Sequence, residues 1–402
     1  MSIKASVSDG VFLGDDGVFQ ECCCHVAFLS LKRASDGESI IVAIEDAGNE
    51  GRVMWVKEID PRSGGNGFYD GVSTSLWWHE DLFLSFRPDS VSSPSVLRLN
   101  QRTGVVVNSL ALTTITGSDL LSQPGIAVNL AGQVYVCDVG THDANGRDMY
   151  RLTKALAISS QEQIGSSLGP VLGRPFSAMA FVGRQRLVSI SGDGPAISGR
   201  FDCFRLNPAP PFDPFVSFNE YRWDTLDGGG APNVHRGGPD VLIAESGGTL
   251  YNHTSFNGPK TVVSSVRGTF ANNRTTAFAD GNVWVPAKGN AVRKFDLGGP
   301  TLLYAKVLGT DFLTSGTWGA SSSRIDVLRH GEDLWLLVRD INAANKRAVL
   351  LVVREGGEDG TEWIEKWQID LMTDGDVDWA DPSNADYWRG WCLNTHGQGF
   401  DD

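Results

Sequence analysis

Ile325-Asp326-Val327-Leu328-Arg329 is followed by the polar turn His330-Gly331-Glu332, and then by Asp333-Leu334-Trp335-Leu336-Leu337-Val338-Arg339. Two apolar-rich runs separated by a glycine-bearing turn predict an antiparallel hairpin, because glycine reaches the positive φ that tight hairpin turns need. The same arrangement recurs along the chain. Its cores are Ile41–Ile44, Leu82–Leu84, Val134–Val136, Leu187–Ile190, Val241–Ala244, Val283–Val285 and Leu334–Leu337. Taking Val42, Leu82, Val134, Leu187, Leu242, Val283 and Leu334 as markers, the steps are roughly 40, 52, 53, 55, 41 and 51 residues, the period of a propeller blade.

Working outward, each unit reads as strand, tight turn, strand, longer loop, strand, turn, strand. The first unit takes Val26–Leu31, Ile40–Glu45 and Arg52–Asp60; the second Ser75–Trp78, Leu82–Phe86, Val96–Leu99 and Val105–Leu110. The third has Gly125–Asn129, Val134–Asp138 and Met149–Leu152; the fourth Ala178–Val182, Leu187–Ile190 and Asp202–Leu206. Val241–Ala244, Thr249–Asn252 and Thr261–Ser265 make the fifth, the least regular. The sixth has Thr276–Ala279, Val283–Pro286, Ala291–Asp296 and Leu302–Val307; the seventh Ile325–Arg329, Leu334–Arg339, Ala348–Arg354 and Trp363–Leu371. The fold class expected is all-β: one β-propeller over 1–371 with seven blades, six being the alternative, and an aromatic-rich tail over 372–402.

In the six-bladed alternative, 208–238 is an irregular insertion, too rich in proline and glycine for regular strands. Helical periodicity is confined to Leu152–Ser166. Closure is expected from Val18–Cys24 joining the blade that ends near Leu371, since terminal strands sharing a blade remove a free edge. In the tail, Trp379, Tyr387, Trp388 and Trp391 are the partner-binding candidates: they either wrap the ring's edge or dock on a neighbouring subunit.

Composition narrows the function classes. A formal charge of −14 argues against sequence-specific nucleic-acid binding, which needs clustered lysine and arginine. No apolar run is long enough for a membrane span. Residues 1–10 contain no apolar stretch of a signal peptide, so synthesis and retention in a cytoplasm are expected. Cys22-Cys23-Cys24-His25 is spaced poorly for zinc and reads better as free thiols on an alternating strand, with inter-chain disulfides as the alternative.

The search for chemistry finds no zincin, nucleophile-elbow, P-loop or dinucleotide motif. Asp374, Asp376 and Asp378 form a weak calcium candidate, with carboxylates at i, i+2 and i+4. Trp379 and Ala385 stand where an EF-hand loop needs glycine and glutamate, so a solvated acidic loop is the simpler reading, and neither a resident metal nor a cofactor is expected. His79 and His330 occupy equivalent turns and read as surface residues. His142, His235 and Asp240 are the nominees for an axial hydrolase or lyase site, and Trp77, Trp78, Phe212 and Phe215 for a glycan-stacking surface.

These irregular repeats carry neither the paired WD40 dipeptides nor the kelch double glycine. Heavy in Thr, Ser, Gly and Asn, they resemble in style the structural propellers of tailed-bacteriophage virions, where such rings serve as tail nozzles, hubs or surface decorations. The resemblance covers about residues 20–371. It implies a non-enzymatic subunit with structural subunits as partners, in a homo- or hetero-oligomeric assembly within a virion. The alternatives are a soluble glycan- or ligand-binding propeller and the axial hydrolase or lyase.

Overall fold

A computed structural model describes residues 11–13, 19–21, 25–35, 39–60, 73–77, 81–86, 95–112, 122–128, 133–139, 147–164, 176–182, 186–191, 200–205, 217–222, 233–237, 240–244, 250–253, 261–264, 277–279, 281–287, 290–296, 301–308, 312, 323–340, 346–357, 360–379 and 391–393. Strands β1 (Val11–Leu13) and β2 (Phe19–Glu21) pair with each other. The first four-stranded sheet takes β3 (Val26–Lys32), β4 (Ser39–Asp46) and β5 (Gly51–Asp60), with the chain's last strand, Trp391–Leu393, beside β3. The second holds β6 (Ser73–Trp77), β7 (Asp81–Phe86), β8 (Ser95–Asn100) and β9 (Val106–Ala111). The third holds β10 (Ser122–Val128), β11 (Val134–Val139), β12 (Arg147–Leu152) and β13 (Ile158–Ile164).

The fourth sheet is β14 (Phe176–Val182), β15 (Arg186–Ser191), β16 (Arg200–Arg205) and β17 (Ser217–Arg222); the fifth is β18 (Asn233–Gly237), β19 (Asp240–Ala244), β20 (Leu250–His253) and β21 (Thr261–Ser264). The sixth is β22 (Ala277–Ala279), β23 (Asn282–Ala287), β24 (Ala291–Asp296) and β25 (Thr301–Val307). The seventh is β26 (Ser323–His330), β27 (Asp333–Asp340), β28 (Arg347–Gly356) and β29 (Glu362–Asp370). β30 is Trp391–Leu393. The first strands of successive sheets are neighbours from β6 through β26, and both β6 and β26 lie beside β30. Among the described residues, seven antiparallel four-stranded sheets placed this way make a β-propeller.

The core sits between sheets, because alternation gives each strand two apolar faces. Ala27, Leu29, Leu31, Val42 and Ile44 pack with Trp335, Leu337, Leu350 and Val352 between the first and seventh sheets. The opposite face of the first sheet, Phe28, Ile41 and Ala43, meets Leu82, Leu84 and Leu99 of the second. Further layers join the second sheet to the third and the sixth to the seventh.

Three expectations need correction. The 208–238 stretch supplies β17 and β18, because its prolines and glycines flank short strands rather than fill them. Within the expected helix Leu152–Ser166, the described residues 152–164 form none: Ile158–Ile164 is β13. Leu156 takes φ 58° in a turn between β12 and β13, held by a bond from the Leu156 N–H to the Thr153 carbonyl. That turn lets Leu152 and Leu156 enter the layer between the second and third sheets.

Closure also differs. Within the expected 18–24 strand, Phe19–Glu21 pairs with Val11–Leu13, while the seventh sheet draws all four strands from 323–370. The end of the chain instead completes the first sheet through Ala27↔Leu393, Phe28↔Cys392 and Leu29↔Trp391. The tail beyond Leu371, expected to pack on the ring or on a neighbour, thus supplies one strand of the first sheet. Trp379 is 1% exposed, its indole within the layer between the first and seventh sheets, and it bridges Arg33.

Candidate functional site

Burial leaves Trp379 without a surface to offer a partner. Trp391 is placed by its strand, opposite Leu29, whereas Tyr387 and Trp388 lie outside the described residues. Asp374 and Asp378 are engaged locally. The Asp374 carboxylate accepts the Asp376 and Val377 N–H groups at 3.0 and 3.2 Å, and that of Asp378 accepts the Ser35 N–H at 3.0 Å. Asp376 is exposed, and the three carboxylates do not converge on one ion position. Of the other nominees, His235 and Asp240 lie on β18 and β19, opposite Leu242 and Gly237, and Trp77 ends β6 opposite Asp81. His79, Trp78, His142, Phe212, Phe215 and Cys22–Cys24 fall outside the described residues.

Among the described residues, the densest polar cluster lies where the seventh sheet meets the first. His330 ends β26, Asp333 begins β27, Arg354 is near the end of β28, and Lys366 and Trp367 lie on β29. His25 precedes β3 and Asp46 ends β4. Period-2 alternation puts Asp333 on the same face as Trp335 and Leu337, toward the first sheet. Lys366 Nζ donates to Asp46 Oδ2 at 2.5 Å and to Asp333 Oδ2 at 2.8 Å. Arg354 adds a forked pair to Asp333, Nε to Oδ1 at 2.7 Å and Nη2 to Oδ2 at 3.3 Å. Trp367 Nε1 donates to Asp46 Oδ1 at 2.8 Å.

Charge follows contact in this cluster. Burial alone would raise the Asp333 carboxyl, but the hydrogen bonds from Arg354 and Lys366 hold it below the usual carboxylate range. Burial opposes the Lys366 charge, and its bonds to Asp333 and Asp46 outweigh that and raise it. One donor atom each from His25, Asp46 and Asp333 lies within 4.8 Å of the others, the spacing of a metal site. The Lys366 ammonium, however, already bridges both carboxylates, and two cations match the two anions. The arrangement is chemically an ion-pair network that ties two sheets together.

His330 is not the surface turn residue expected. It is half-buried, and its ring centroid lies 3.5 Å from that of His25. At the other end of the same seam, Arg339 pairs with Asp326 at 3.0 Å with both side chains buried.

No protein-family model and no curated protein matches this sequence. Among solved structures, the chain is similar to BamB from Moraxella catarrhalis at 14% identity, covering 90% of this chain and 88% of that one, with a TM-score of 0.43. The WD40 repeats of RRP9 share 11% identity over 84% of each chain, with a TM-score of 0.48. Apo AztD from Citrobacter koseri shares 8%, over 86% of this chain and 95% of that one, with a TM-score of 0.49. These likenesses carry no argument about ligand or partner.

A second pattern repeats from seam to seam. At four junctions, a side chain on a sheet's outermost strand donates a hydrogen bond to the end of the next sheet's third strand or to the turn that follows it. Trp55 Nε1 of β5 reaches the Gln101 carbonyl at 2.9 Å. Asn108 Nδ2 of β9 reaches the Ala155 carbonyl at 2.6 Å. Tyr304 of β25 bonds Glu355, and Trp367 of β29 bonds Asp46. Around Glu355, Trp284 Nε1 and Lys294 Nζ also converge at 2.9 and 3.1 Å, while Trp363 Nε1 donates to the Tyr304 oxygen at 2.9 Å. Burial, and then the bond to Glu355, pushes the Tyr304 hydroxyl well above its ordinary range, so it stays a neutral donor.

The sequence holds a signal for one part of this. His79-Glu80-Asp81-Leu82-Phe83-Leu84 and His330-Gly331-Glu332-Asp333-Leu334-Trp335-Leu336 place an aspartate at the same point of the second strand. Asp81 is 3% exposed and pairs with Arg98 at 2.8 Å and with Lys154 of the third sheet at 3.5 Å. Both aspartates bind an arginine on the third strand of their own sheet. The partners from neighbouring sheets, Lys154 and Asp46, follow no shared spacing.

Proposed function

We propose that the chain is a closed seven-bladed propeller acting as a non-enzymatic structural subunit of a large assembly, with a tailed-phage virion as the setting. The observation that carries this reading is the use made of the titratable groups at the closing seam. Asp46, Asp333, Lys366 and Arg354, in a constellation that could have served a metal or an acid–base site, are spent on one another across two sheets. Enzymes leave a poised group facing a reactant. Here buried acid and base are matched to hold sheet against sheet. The acidic balance of −14 suits a ring wall to which a polyanion does not adhere.

The test is gentle lysis of the native source, sedimentation through a density gradient, and location of this chain by mass spectrometry. Co-migration with a large particle at fixed copy number is the expected result. A slow peak at the 43.4 kDa monomer mass would sink the assembly reading.

A further inference from the structure

The imidazoles of His25 and His330 meet where the first and seventh sheets close on each other, with ring centroids 3.5 Å apart and planes tilted by 52°. His25 Nδ1 is buried and makes no hydrogen bond. Charged groups face the pair from both sheets: Asp46 from the first, and Asp333, Arg354 and Lys366 from the seventh. Glu332 lies on the turn, 77% exposed, with Arg354 at 3.8 Å. The two buried carboxylates are already matched by Lys366 and Arg354, so neither is a free counter-ion for an added proton. Two imidazolium rings in van der Waals contact would repel each other and both of those cations.

We propose that His25 and His330 form an acid-operated latch: neutral, they let the first and seventh sheets close, and in mildly acid solution they take up protons and drive the closing seam apart. This is the seam where the two ends of the chain meet, the segment after β29 returning to the first sheet only as the three-residue strand β30. The seam is closed by packing, by the ion pairs and by β30 beside β3. Burial holds His25 below the ordinary histidine value, against the opposing pull of Asp333 and Asp46. The unfolded chain therefore binds more protons between about pH 6.5 and the folded value, and stability falls as pH falls through that window.

Two measurements test the latch. Thermal unfolding of the full chain between pH 7.5 and 5.0 is expected to show a Tm loss of about 2 °C or more in the wild type. His25→Gln and His330→Gln should each flatten that loss, and hydrogen exchange at pH 5.5, corrected for intrinsic rates, should rise first in β3 and β30. A pH dependence in both variants as steep as that of the wild type would overturn the proposal. A titration of the wild-type histidine ring protons by NMR needs no variant. A coupled pair whose second step falls well below 6.5 supports the latch, and two independent titrations near 6.5 would overturn it.

Discussion

Two seams of the propeller use the same tryptophan device with different chemistry around it. Between the first and second sheets, Trp55 donates to the Gln101 carbonyl and lies against Gly104, where a Cβ would come within 2.7 Å of its ring. Between the seventh and first, Trp367 donates to Asp46 and lies against Gly51, where a Cβ would come within 2.5 Å. Each outer-strand indole is thus admitted by a glycine of the next sheet's turn. At the first of these seams the acceptor is neutral backbone, and the sheets are also linked by the chain running from β5 into β6. The closing seam is crossed by the chain only through residues 371–390, which lead from β29 to the three-residue strand β30 beside β3. It adds a carboxylate acceptor, a bridging ammonium, a forked arginine pair and two imidazoles in tilted contact. Where the two ends of the chain meet, directed charge contacts add to the register.

The largest difference should come from the indoles themselves. Trp367 is 4% exposed and packs edge-on to Trp335 at 5.2 Å, whereas Trp55 is half-buried. Trp367→Ala is expected to cost about 4 kcal/mol, since it opens a cavity in the layer between the sheets. Trp55→Ala should cost about half of that. Urea midpoints with unchanged slopes measure both, and equal losses would break the distinction between the seams.

Next come the buried aspartates. Removing Asp333 leaves Lys366 and Arg354 facing each other, and breaking a buried pair on one side costs about 3 kcal/mol where the partners stay enclosed. Arg354 is nearly half exposed and recovers water, which lowers the expected loss for Asp333→Ala toward 2–3 kcal/mol. Asp81→Ala removes one close arginine and one distant lysine and should cost less, about 1–2 kcal/mol. A double-mutant cycle of Asp333 with Lys366 should return coupling above that of Asp81 with Lys154. The reverse order would sink the claim that charge is concentrated at closure.

How much of this could be read in the sequence follows from which face each strand shows to water. The inner strands of the seventh sheet bury both faces, so Leu334 through Val338 appears as a solid apolar run and announces itself. The outer strand β13, Ile-Ser-Ser-Gln-Glu-Gln-Ile, lies at a sheet edge and keeps little apolar alternation, so in sequence its polar run reads as part of a helix. The aspartates at positions 81 and 333 sit in visibly similar turns. Each binds an arginine of its own sheet, but the contacts between sheets are remote in sequence: Asp46 and Lys366 are 320 residues apart, and no local spacing connects them. The tail stays open to two readings for a related reason: its aromatic content fits packing on the ring or on a neighbour alike, and only the structure places Trp379 in the core beside Arg33.

The seam between the sixth and seventh sheets lies between these extremes and sharpens the comparison. Its Tyr304 hydroxyl accepts from Trp363 and Trp284 and donates to Glu355. Tyr304→Phe keeps the ring and leaves the Trp363 N–H without its acceptor, at an expected cost of about 1–2 kcal/mol. Glu355 still has Trp284 and Lys294, which keeps the loss below that of Asp333→Ala. A loss above 3 kcal/mol would make this seam, rather than the closing one, the polar anchor of the ring.

The smallest effect expected is an acid window. Arg354 and Lys366 hold the folded Asp333 carboxyl below 3.8 despite burial, so above that value its charge stabilises the fold. As pH falls from about 3.8 through the folded value, the unfolded chain binds the proton first and the stabilisation is lost. Asp333→Asn should remove this part of the acid limb and leave the loss between pH 6.5 and 5 intact, because that part belongs to the histidines. If the substitution instead flattened the upper window and spared the lower one, the carboxylates and imidazoles would titrate as one unit. The closing seam would then be a single coupled site rather than a latch set beside an ion-pair clamp.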